Sequence, residues 1–199
     1  MPSTSDDLLE RWLGAVLATP GLTGLKDRDE ARRVLLDDAL AGAELVRGFE
    51  GAIVDVGSGG GTPGIPLAAS FPERGVTLLE AERRKAEFLE AWTKELPNLS
   101  VIWGRAESQG PDRYGVAVAK ALASPPVAAE WCLPLVAPGG AVVLWVGPTA
   151  EPERVAAVAE RIAGELVESP PGFLVLRKTG PTPPGFPRRP GVARKRPLA

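Results

Sequence analysis

Residues 53–67 decide the fold of this chain, and they read Ile53-Val54-Asp55-Val56-Gly57-Ser58-Gly59-Gly60-Gly61-Thr62-Pro63-Gly64-Ile65-Pro66-Leu67. An apolar, β-branched run passes through one carboxylate into a stretch with five glycines in eight residues, after which an apolar run resumes. Glycines let the backbone adopt positive φ and let a ligand approach without meeting a Cβ. A strand that leads through such a loop into a helix presents free N–H groups and the positive end of the helix dipole. The stretch therefore predicts a nucleotide-cofactor site.

The composition of the 199-residue chain is that of one ordinary globular domain, with 44% hydrophobic and 24% charged residues. There is no histidine and only one cysteine, Cys132, which excludes histidine metal sites, thiolate clusters, disulfide frameworks and a histidine base. No apolar run approaches the roughly 20 residues of a membrane span. The N-terminus Met1-Pro2-Ser3 lacks the basic region of a signal peptide. We expect a cytoplasmic protein that uses no metal and no membrane anchor.

The charge is distributed unevenly along the chain. Residues 171–199 contain seven Lys and Arg and no acidic residue, whereas the remainder has 16 basic and 25 acidic residues. A basic end on an acidic body favours a polyanionic partner at that end, and a merely solvated tail is the alternative.

Strand and helix patterns alternate regularly after residue 51. We expect strands at 52–56, 76–79, 99–103, 116–119 and 141–146, followed by a hairpin of 165–168 and 172–177. Helices are expected at 65–70, 82–96, 125–136 and 151–164. This alternation predicts an α/β, Rossmann-like fold with a mostly parallel seven-stranded sheet and helices on both faces.

Two further helices precede the first strand, one beginning at Ser3-Thr4-Ser5-Asp6 and one running from about residue 27 to 47. We therefore divide the chain into a helical cap (residues 1–50), a cofactor-binding core (residues 51–178) and a basic, Pro/Gly-rich tail (residues 179–199). The tail is expected to be an ordered coil that packs on the core or extends from it.

Three cofactor classes compete for the glycine loop. A P-loop is excluded because the loop has no lysine. A dinucleotide motif is matched by Gly59, Gly61 and Gly64, whereas S-adenosylmethionine (SAM) fits the acidic Asp55 before Gly57. Pro63 removes an N–H that a pyrophosphate would use, and about 50 residues of helix precede the loop, so SAM is favoured over the dinucleotide alternative.

A carboxylate at the end of the second strand is the expected partner of the cofactor's ribose hydroxyls. Glu80 lies there, 23 residues beyond Gly57. A solvated strand end is the alternative interpretation of this residue.

The chain resembles the RsmG (GidB) family of bacterial 16S ribosomal RNA methyltransferases, which make 7-methylguanosine. The resemblance extends over roughly residues 22–198. The residues that carry it are 55–67, Val76-Thr77-Leu78-Leu79-Glu80, Gly104-Arg105-Ala106-Glu107 and Phe186-Pro187-Arg188-Arg189-Pro190-Gly191.

The resemblance implies a SAM site in which Gly57 and Thr62 lie along the methionine and ribose, Glu80 meets the ribose, and Ala106 and Glu107 meet the adenine. The remaining residues of the expected cofactor site are Asp55, Ser58, Gly59 and Lys120, the last of which stands where the family usually has arginine. Thr62 replaces a usual leucine, so a divergent methyltransferase with another substrate, or a non-catalytic SAM- or RNA-binding relative, is the alternative.

The implied substrate is a guanine N7 in 16S ribosomal RNA or the small ribosomal subunit, and we expect a monomeric enzyme. This ring nitrogen carries no proton, so no residue is predicted to act as a general acid or base. The residues expected to contact RNA phosphates are Arg188, Arg189, Arg194, Lys195 and Arg196. Deletion of residues 188–199 should then weaken RNA binding with little effect on the cofactor. Trp103, Trp131 and Trp145 are expected to pack in the core.

Overall fold

Seven β-strands form one sheet in the computed structural model, which describes residues 4–199. The strands are β1 (Ile53–Val56), β2 (Val76–Glu80), β3 (Leu99–Trp103), β4 (Tyr114–Lys120), β5 (Val136–Trp145), β6 (Gly164–Glu168) and β7 (Phe173–Lys178). Their order across the sheet is β3-β2-β1-β4-β5-β7-β6. Strands β1 to β5 are parallel, and β7 pairs antiparallel with β5 and β6. The predicted α/β fold with a mostly parallel seven-stranded sheet is confirmed.

Helices cover both faces of the sheet. They are α1 (Thr4–Ala18), α2 (Arg28–Ala31), α3 (Asp38–Ala41), α4 (Ala43–Arg47), α5 (Gly64–Ser70), α6 (Arg83–Glu90), α7 (Pro125–Cys132), α8 (Pro152–Glu160) and α9 (Val192–Lys195). In β1, Ile53 joins the apolar cluster of α1 and α5, whereas Val54 and Val56 join that of α7 and α8. Successive strand residues point to opposite faces, so β1 is buried on both sides.

The strand order reverses beside β1, because β2 and β3 lie on one side of it and β4 and the later strands on the other. In open α/β sheets, ligands bind at such a reversal, beyond the carboxyl ends of the strands. The glycine loop follows β1 directly, so the fold places it at this position.

The helices before β1 are packed against the sheet by buried residues of α1, among them Trp12 and Leu13, which are fully buried. The helix predicted from about residue 27 to 47 is present from Arg28 to Arg47, but it is divided into α2, a π-helical turn (Arg32–Asp37), α3 and α4. Gly42 separates α3 from α4, and a Cβ at this position would lie 2.3 Å from the indole ring of Trp145. The predicted start of the first helix at Ser3 lies outside the described residues.

The predicted boundary between helix 125–136 and strand 141–146 is also wrong. Helix α7 ends at Cys132, a 3₁₀ turn (Leu133–Leu135) follows, and β5 begins at Val136. Gly139, with φ +88°, lies inside β5 where the register with β4 shifts. The Pro-Gly-Gly sequence therefore marks an irregularity within the strand and not the end of a helix.

The C-terminal segment, defined here as residues 179–199, folds back onto the α7 side of the sheet. The buried ammonium of Lys178 donates to Leu133 O at 2.8 Å, Thr182 Oγ1 at 2.6 Å and Asp112 Oδ1 at 3.2 Å. Phe186 packs against the apolar cluster of α7 and α8. The segment is coil apart from its turns and α9. The division of the chain at residues 50 and 178 stays a prediction.

Within residues 4–199, no helix is both long and apolar enough to cross a membrane.

Candidate cofactor-binding site

A cavity of about 640 Å³ opens at the carboxyl ends of β1, β2 and β4. This volume lies within the usual range of small-molecule sites, roughly 300–1,000 Å³. Eight of the nine predicted cofactor-binding residues line it, and they are Gly57, Ser58, Gly59, Thr62, Glu80, Ala106, Glu107 and Lys120. The fold therefore gathers residues from four separate stretches of the sequence around one cavity.

The glycine loop can follow its path only because of its glycines. Gly57 has a φ of +73°, and a Cβ added to it would lie 2.3 Å from Cδ1 of Leu122, which also lines the cavity. Gly61 has a φ of +105°, and its added Cβ would lie 2.5 Å from Ile65 Cδ1. Trp12 Nε1 donates to Gly60 O at 2.9 Å, so helix α1 supports the loop from behind. A side chain at Gly57 would combine backbone strain with a collision inside the cavity.

Asp55 does not line the cavity, which corrects its predicted contact with the cofactor. Its carboxylate lies behind the loop, where Oδ2 accepts from Gly64 N at 3.0 Å and Oδ1 is buried without a partner among the described residues. Burial raises the pKa of Asp55 to about 7. Ser58 Oγ donates to the carbonyl of Asp55 at 2.9 Å and closes the turn. Asp55 therefore acts on the shape of the loop.

Glu80 is the buried carboxylate that faces the cavity, with 8% of its surface exposed. One of its oxygens accepts from Gly59 N and the other from Glu82 N, both at 2.8 Å. A carboxylate offers about four lone-pair sites, so each oxygen can accept a further hydrogen bond. This arrangement fits a ligand with a pair of hydroxyl donors, as a ribose has.

The segment around the π-helical turn forms a third wall of the cavity. Thr62 Oγ1 donates to the carbonyl of Leu35 at 2.7 Å, and Leu35 itself lines the cavity. Lys120 Nζ lies 2.6 Å from Asp38 Oδ2, and Trp145 Nε1 donates to the Asp38 carbonyl at 2.8 Å. Sequence reasoning missed Leu35, because nothing in an amphipathic helical pattern tells which apolar residue will face a ligand.

Another wall of the cavity combines the end of β4, helix α7 and the C-terminal segment. Leu122, Trp131 and Arg194 line the cavity there. Glu107 Oε1 accepts from Gly191 N at 3.1 Å, which attaches the C-terminal segment to this wall. Trp131 is buried, but its Nε1 has no hydrogen-bond partner among the described residues. Leu122 and Trp131 were not predicted to be site residues, and Arg194 was assigned to RNA alone.

The basic residues of the C-terminal segment do not form one group. Arg188 makes two hydrogen bonds of 2.5 Å to the carboxylate of Glu130, which is 3% exposed. Its predicted role as a phosphate contact is therefore corrected to an internal ion pair. The side chains of Arg189, Lys195 and Arg196 are exposed, and they form no ion pair with any described residue.

The three tryptophans that were predicted to pack in the core differ in their exposure to solvent. Trp131 and Trp145 are buried, as expected. The core position predicted for Trp103 is wrong, since this residue is 59% exposed at the end of the edge strand β3. Its Nε1 donates to the carbonyl of Ala81 at 3.2 Å, and the guanidinium of Arg83 lies 5.4 Å from the ring centroid. Ala81 lines the cavity, so Trp103 stands just outside its rim.

The residues present fit SAM. The cavity offers a buried carboxylate for ribose hydroxyls and a loop whose glycines permit close approach. Its lining also includes a second carboxylate, Glu107, and the apolar Leu122 and Trp131. Ordinary P-loop chemistry has no basis here, because the loop has no lysine. Residues 4–199 contain no group of three or more His, Cys, Asp or Glu side chains that could hold a metal ion.

Comparison with known sequences identifies one family. The model of the GidB family, described as rRNA small subunit methyltransferase G, matches residues 10–169. The ribosomal RNA small subunit methyltransferase G of Synechococcus elongatus is 36% identical over 198 residues, covering 89% of this chain and 82% of the relative. The protein of the same name from Pelotomaculum thermopropionicum is 40% identical over 166 residues, covering 74% and 70%.

Solved structures share the fold at low sequence identity. The T. thermophilus 16S rRNA N2 G1207 methyltransferase RsmC, in complex with AdoMet and guanosine, matches with a TM-score of 0.51 and 17% identity over 71% of this chain and 40% of that protein. A Burkholderia thailandensis 1,6-didemethyltoxoflavin-N1-methyltransferase with bound S-adenosylhomocysteine matches with a TM-score of 0.55 and 15% identity, covering 90% and 91%. The [4+2]-cyclase SpnF also matches, with a TM-score of 0.55 and 17% identity over 81% and 70%. The fold alone therefore does not specify a reaction.

Proposed function

This chain belongs to the GidB family of rRNA small subunit methyltransferases G, and on that premise we propose that it transfers a methyl group from SAM to a guanine N7 of 16S ribosomal RNA. The observation that carries the proposal is the cavity beyond β1, β2 and β4, which is lined by the glycine loop and by the buried carboxylate of Glu80. Bound SAM would supply a methyl group activated by the sulfonium. The methyl carbon would pass to the guanine N7 lone pair, with the electron pair of the broken carbon–sulfur bond left on sulfur, and the residues that would hold SAM are those of the glycine loop, Glu80 and Glu107.

The role of the protein's residues is then to position the cofactor and the guanine, and no residue has to transfer a proton. N7 is unprotonated, so the reaction needs no general base, and rate enhancement comes from alignment of the reacting atoms. The glycine loop and Glu80 would hold one side of the cofactor, and Lys120 lines the cavity at the end of β4. The charge of Lys120 is largely neutralised by Asp38 at 2.6 Å. This pairing reduces the net positive charge that the cavity wall would present to a cationic cofactor such as SAM.

The RNA is proposed to approach over the basic C-terminal segment and the rim of the cavity near Trp103. Arg189, Lys195 and Arg196 provide exposed positive charge on a chain that is otherwise acidic. The exposed Trp103 ring, held by Ala81 and covered by Arg83, is suited to stacking on a base of the RNA that flanks the target. Since residues of a single chain line the cavity, we propose that the enzyme acts as a monomer. We also propose that it works in the cytoplasm and without a metal.

Methyl transfer to RNA from cells that lack the modification tests this function. The purified protein is incubated with labelled SAM and either small ribosomal subunits or protein-free 16S rRNA from such a strain, and the digested RNA is analysed. Label in 7-methylguanosine is expected. Label in a different base or in no RNA, together with tight S-adenosylhomocysteine (SAH) binding, would favour the divergent or non-catalytic alternatives. Binding of NAD without binding of SAH would establish the dinucleotide alternative.

A further inference from the structure

We propose that the C-terminal segment is part of the SAM site, with Arg194 and Trp131 forming the wall at its adenosine end. This inference rests on the proposed function, since it assumes that the cavity binds SAM. It differs from the expectation that the basic residues of the segment serve RNA alone. The chemical class of ligand that Arg194 would contact is a purine nucleoside, through the ring nitrogens and the flat face of the base.

The segment is fixed to the core and does not hang free beside it. Arg188 makes a bidentate ion pair with Glu130 on α7, and its Nη2 also donates to the carbonyl of Arg196 at 2.9 Å. Thr182 Oγ1 donates to Asp112 at 2.7 Å. Ala193, the residue beside Arg194, is 1% exposed. These contacts define where Arg194 can lie, so its position at the cavity is determined by the fold.

Arg194 reaches the cavity with most of its donors unused. Its guanidinium lies 5.1 Å from the ring centroid of Trp131, and both side chains line the cavity. Its Nη2 makes a long hydrogen bond of 3.4 Å to the carbonyl of Leu122. It has no carboxylate partner among residues 4–199. A guanidinium carries five N–H donors, so several remain for acceptors on a ligand, and its plane can stack on a base.

Glu107 is held by the same segment. Gly191, with φ +82°, donates its N–H to Oε1 of Glu107 at 3.1 Å. The other oxygen, Oε2, accepts no hydrogen bond from the described residues. One acceptor from Glu107 and several donors from Arg194 therefore stand at the same end of the cavity. Adenine presents a complementary set, because its exocyclic amine donates and its ring nitrogens accept.

A further observation at this wall also indicates a ligand. Trp131 Nε1 is buried and lacks an acceptor among the described residues. Buried donors in native proteins are nearly always satisfied, by protein, by an ordered water or by a bound ligand. Trp131 lines the cavity beneath Arg194, so a purine bound there would add contacts to both side chains.

The segment then has two functional sides. Gly191 binds the cavity residue Glu107, and Arg194, although exposed to solvent, lines the cavity. Arg189, Lys195 and Arg196 are also exposed but do not line the cavity, so they are available to RNA phosphates. Deletion of residues 188–199 is consequently expected to weaken both SAH and RNA binding. This prediction differs from the one made from the sequence, in which the deletion has little effect on cofactor binding.

A pair of neighbouring substitutions separates the two sides. SAH affinity is measured by calorimetry, without RNA, for the wild type, Arg194→Ala and the control Lys195→Ala, and thermal unfolding checks that all three fold. Arg194→Ala should weaken SAH binding about tenfold, through loss of a charge-assisted hydrogen bond and of ring contact. Lys195→Ala should leave the SAH affinity unchanged. Arg194→Lys, which keeps the charge but not the planar fork, should lie between the wild type and Arg194→Ala.

A fragment of the cofactor tests which end of the cavity Arg194 serves. 5′-Methylthioadenosine contains the adenosine but not the amino acid part, so Arg194→Ala should weaken its binding by the same factor as that of SAH. Equal SAH affinities of the wild type and Arg194→Ala, or an unchanged affinity for the fragment, would overturn the inference while leaving the proposed function intact. Failure of the wild-type protein to bind SAH would overturn both.

Discussion

The glycine loop and the C-terminal segment reach the same cavity, but the chain fixes them by different means. The loop is shaped by backbone conformation and by nearby groups, such as the Gly59 N–H on Glu80 and the Gly64 N–H on Asp55. The C-terminal segment is held by side-chain contacts across long sequence separations, such as Arg188 with Glu130, 58 residues apart. The glycine loop should therefore be disrupted most by substitutions that add a side chain. The C-terminal segment should be disrupted most by substitutions that remove a charge.

The largest effect is expected from a side chain at Gly57. Gly57→Val should abolish SAH binding, because the position combines a φ of +73° with an added Cβ only 2.3 Å from Leu122. Gly172→Val, in the turn between β6 and β7, is the control, since Gly172 has a φ of +84° but open space around it. The control shares the backbone strain and should retain SAH binding in a titration. Loss of binding in both variants, or in neither, would contradict the claim that the cavity wall at Gly57 has no room for a side chain.

The second largest effect concerns the pH dependence of stability, through Asp55 behind the loop. Burial raises its pKa to about 7, above the value of about 3.9 in the unfolded chain. Between these two values the folded state binds more protons than the unfolded state, so the free energy of unfolding falls as pH rises through this window. Across this window, the titration of Asp55 lowers the free energy of unfolding by at most roughly 4 kcal/mol.

Asp55→Asn should remove this pH dependence, since an amide does not titrate. Urea unfolding of the wild type and the variant at pH 5 and pH 8 measures it, and the stability difference between the two proteins should shift towards the variant at pH 8. A difference that does not vary with pH would show that Asp55 is already ionised at pH 5 in the folded protein.

The ion pair of Arg188 and Glu130, which anchors the C-terminal segment, should have a smaller but measurable effect on the free energy of unfolding than the titration of Asp55. Glu130→Gln leaves the guanidinium of Arg188 without its buried carboxylate, and we expect a loss of about 2 kcal/mol in the free energy of unfolding. Glu151→Gln is the matched control, because Glu151 pairs with Arg154 at 2.8 Å on the surface, where both side chains are 51% exposed. Its cost should stay within about 0.5 kcal/mol. If both variants unfold alike, the anchor is no stronger than a surface pair.

The glycine loop and the C-terminal segment also differ in how well the sequence predicts them. The glycine loop and Glu80 were predicted because their signals lie within one strand–loop–helix–strand stretch. The ion pair of Arg188 and the place of Arg194 were not, because each depends on which distant side chain the fold brings alongside. Charge counting treats all basic residues of the segment alike and cannot tell those facing inwards from those facing outwards.

Trp103 and α7 show two other limits of sequence patterns. Trp103 ends an apolar run, which predicts burial, but β3 is an edge strand and its last residue extends past the sheet. The Pro-Gly-Gly sequence at 138–140 is a common helix stop, yet Pro134 already lies in the 3₁₀ turn that ends α7. Edge position and strand register are set by tertiary pairing, so neither can be read from a local pattern.

The smallest effect is expected on the outward side of the C-terminal segment, and it concerns RNA alone. Arg189→Gln and Arg196→Gln should each weaken RNA binding moderately and leave the SAH affinity unchanged, because neither side chain lines the cavity. For a phosphate contact to single-stranded RNA, each substitution should reduce the slope of log affinity against log salt concentration by about 0.7. Filter binding of small-subunit RNA over a salt series measures this slope, with Arg154→Gln, on α8 outside the C-terminal segment, as the control. Slopes equal to that of the wild type would mean that these charges are only solvated, and the RNA surface would then have to be sought at Trp103 and Arg83.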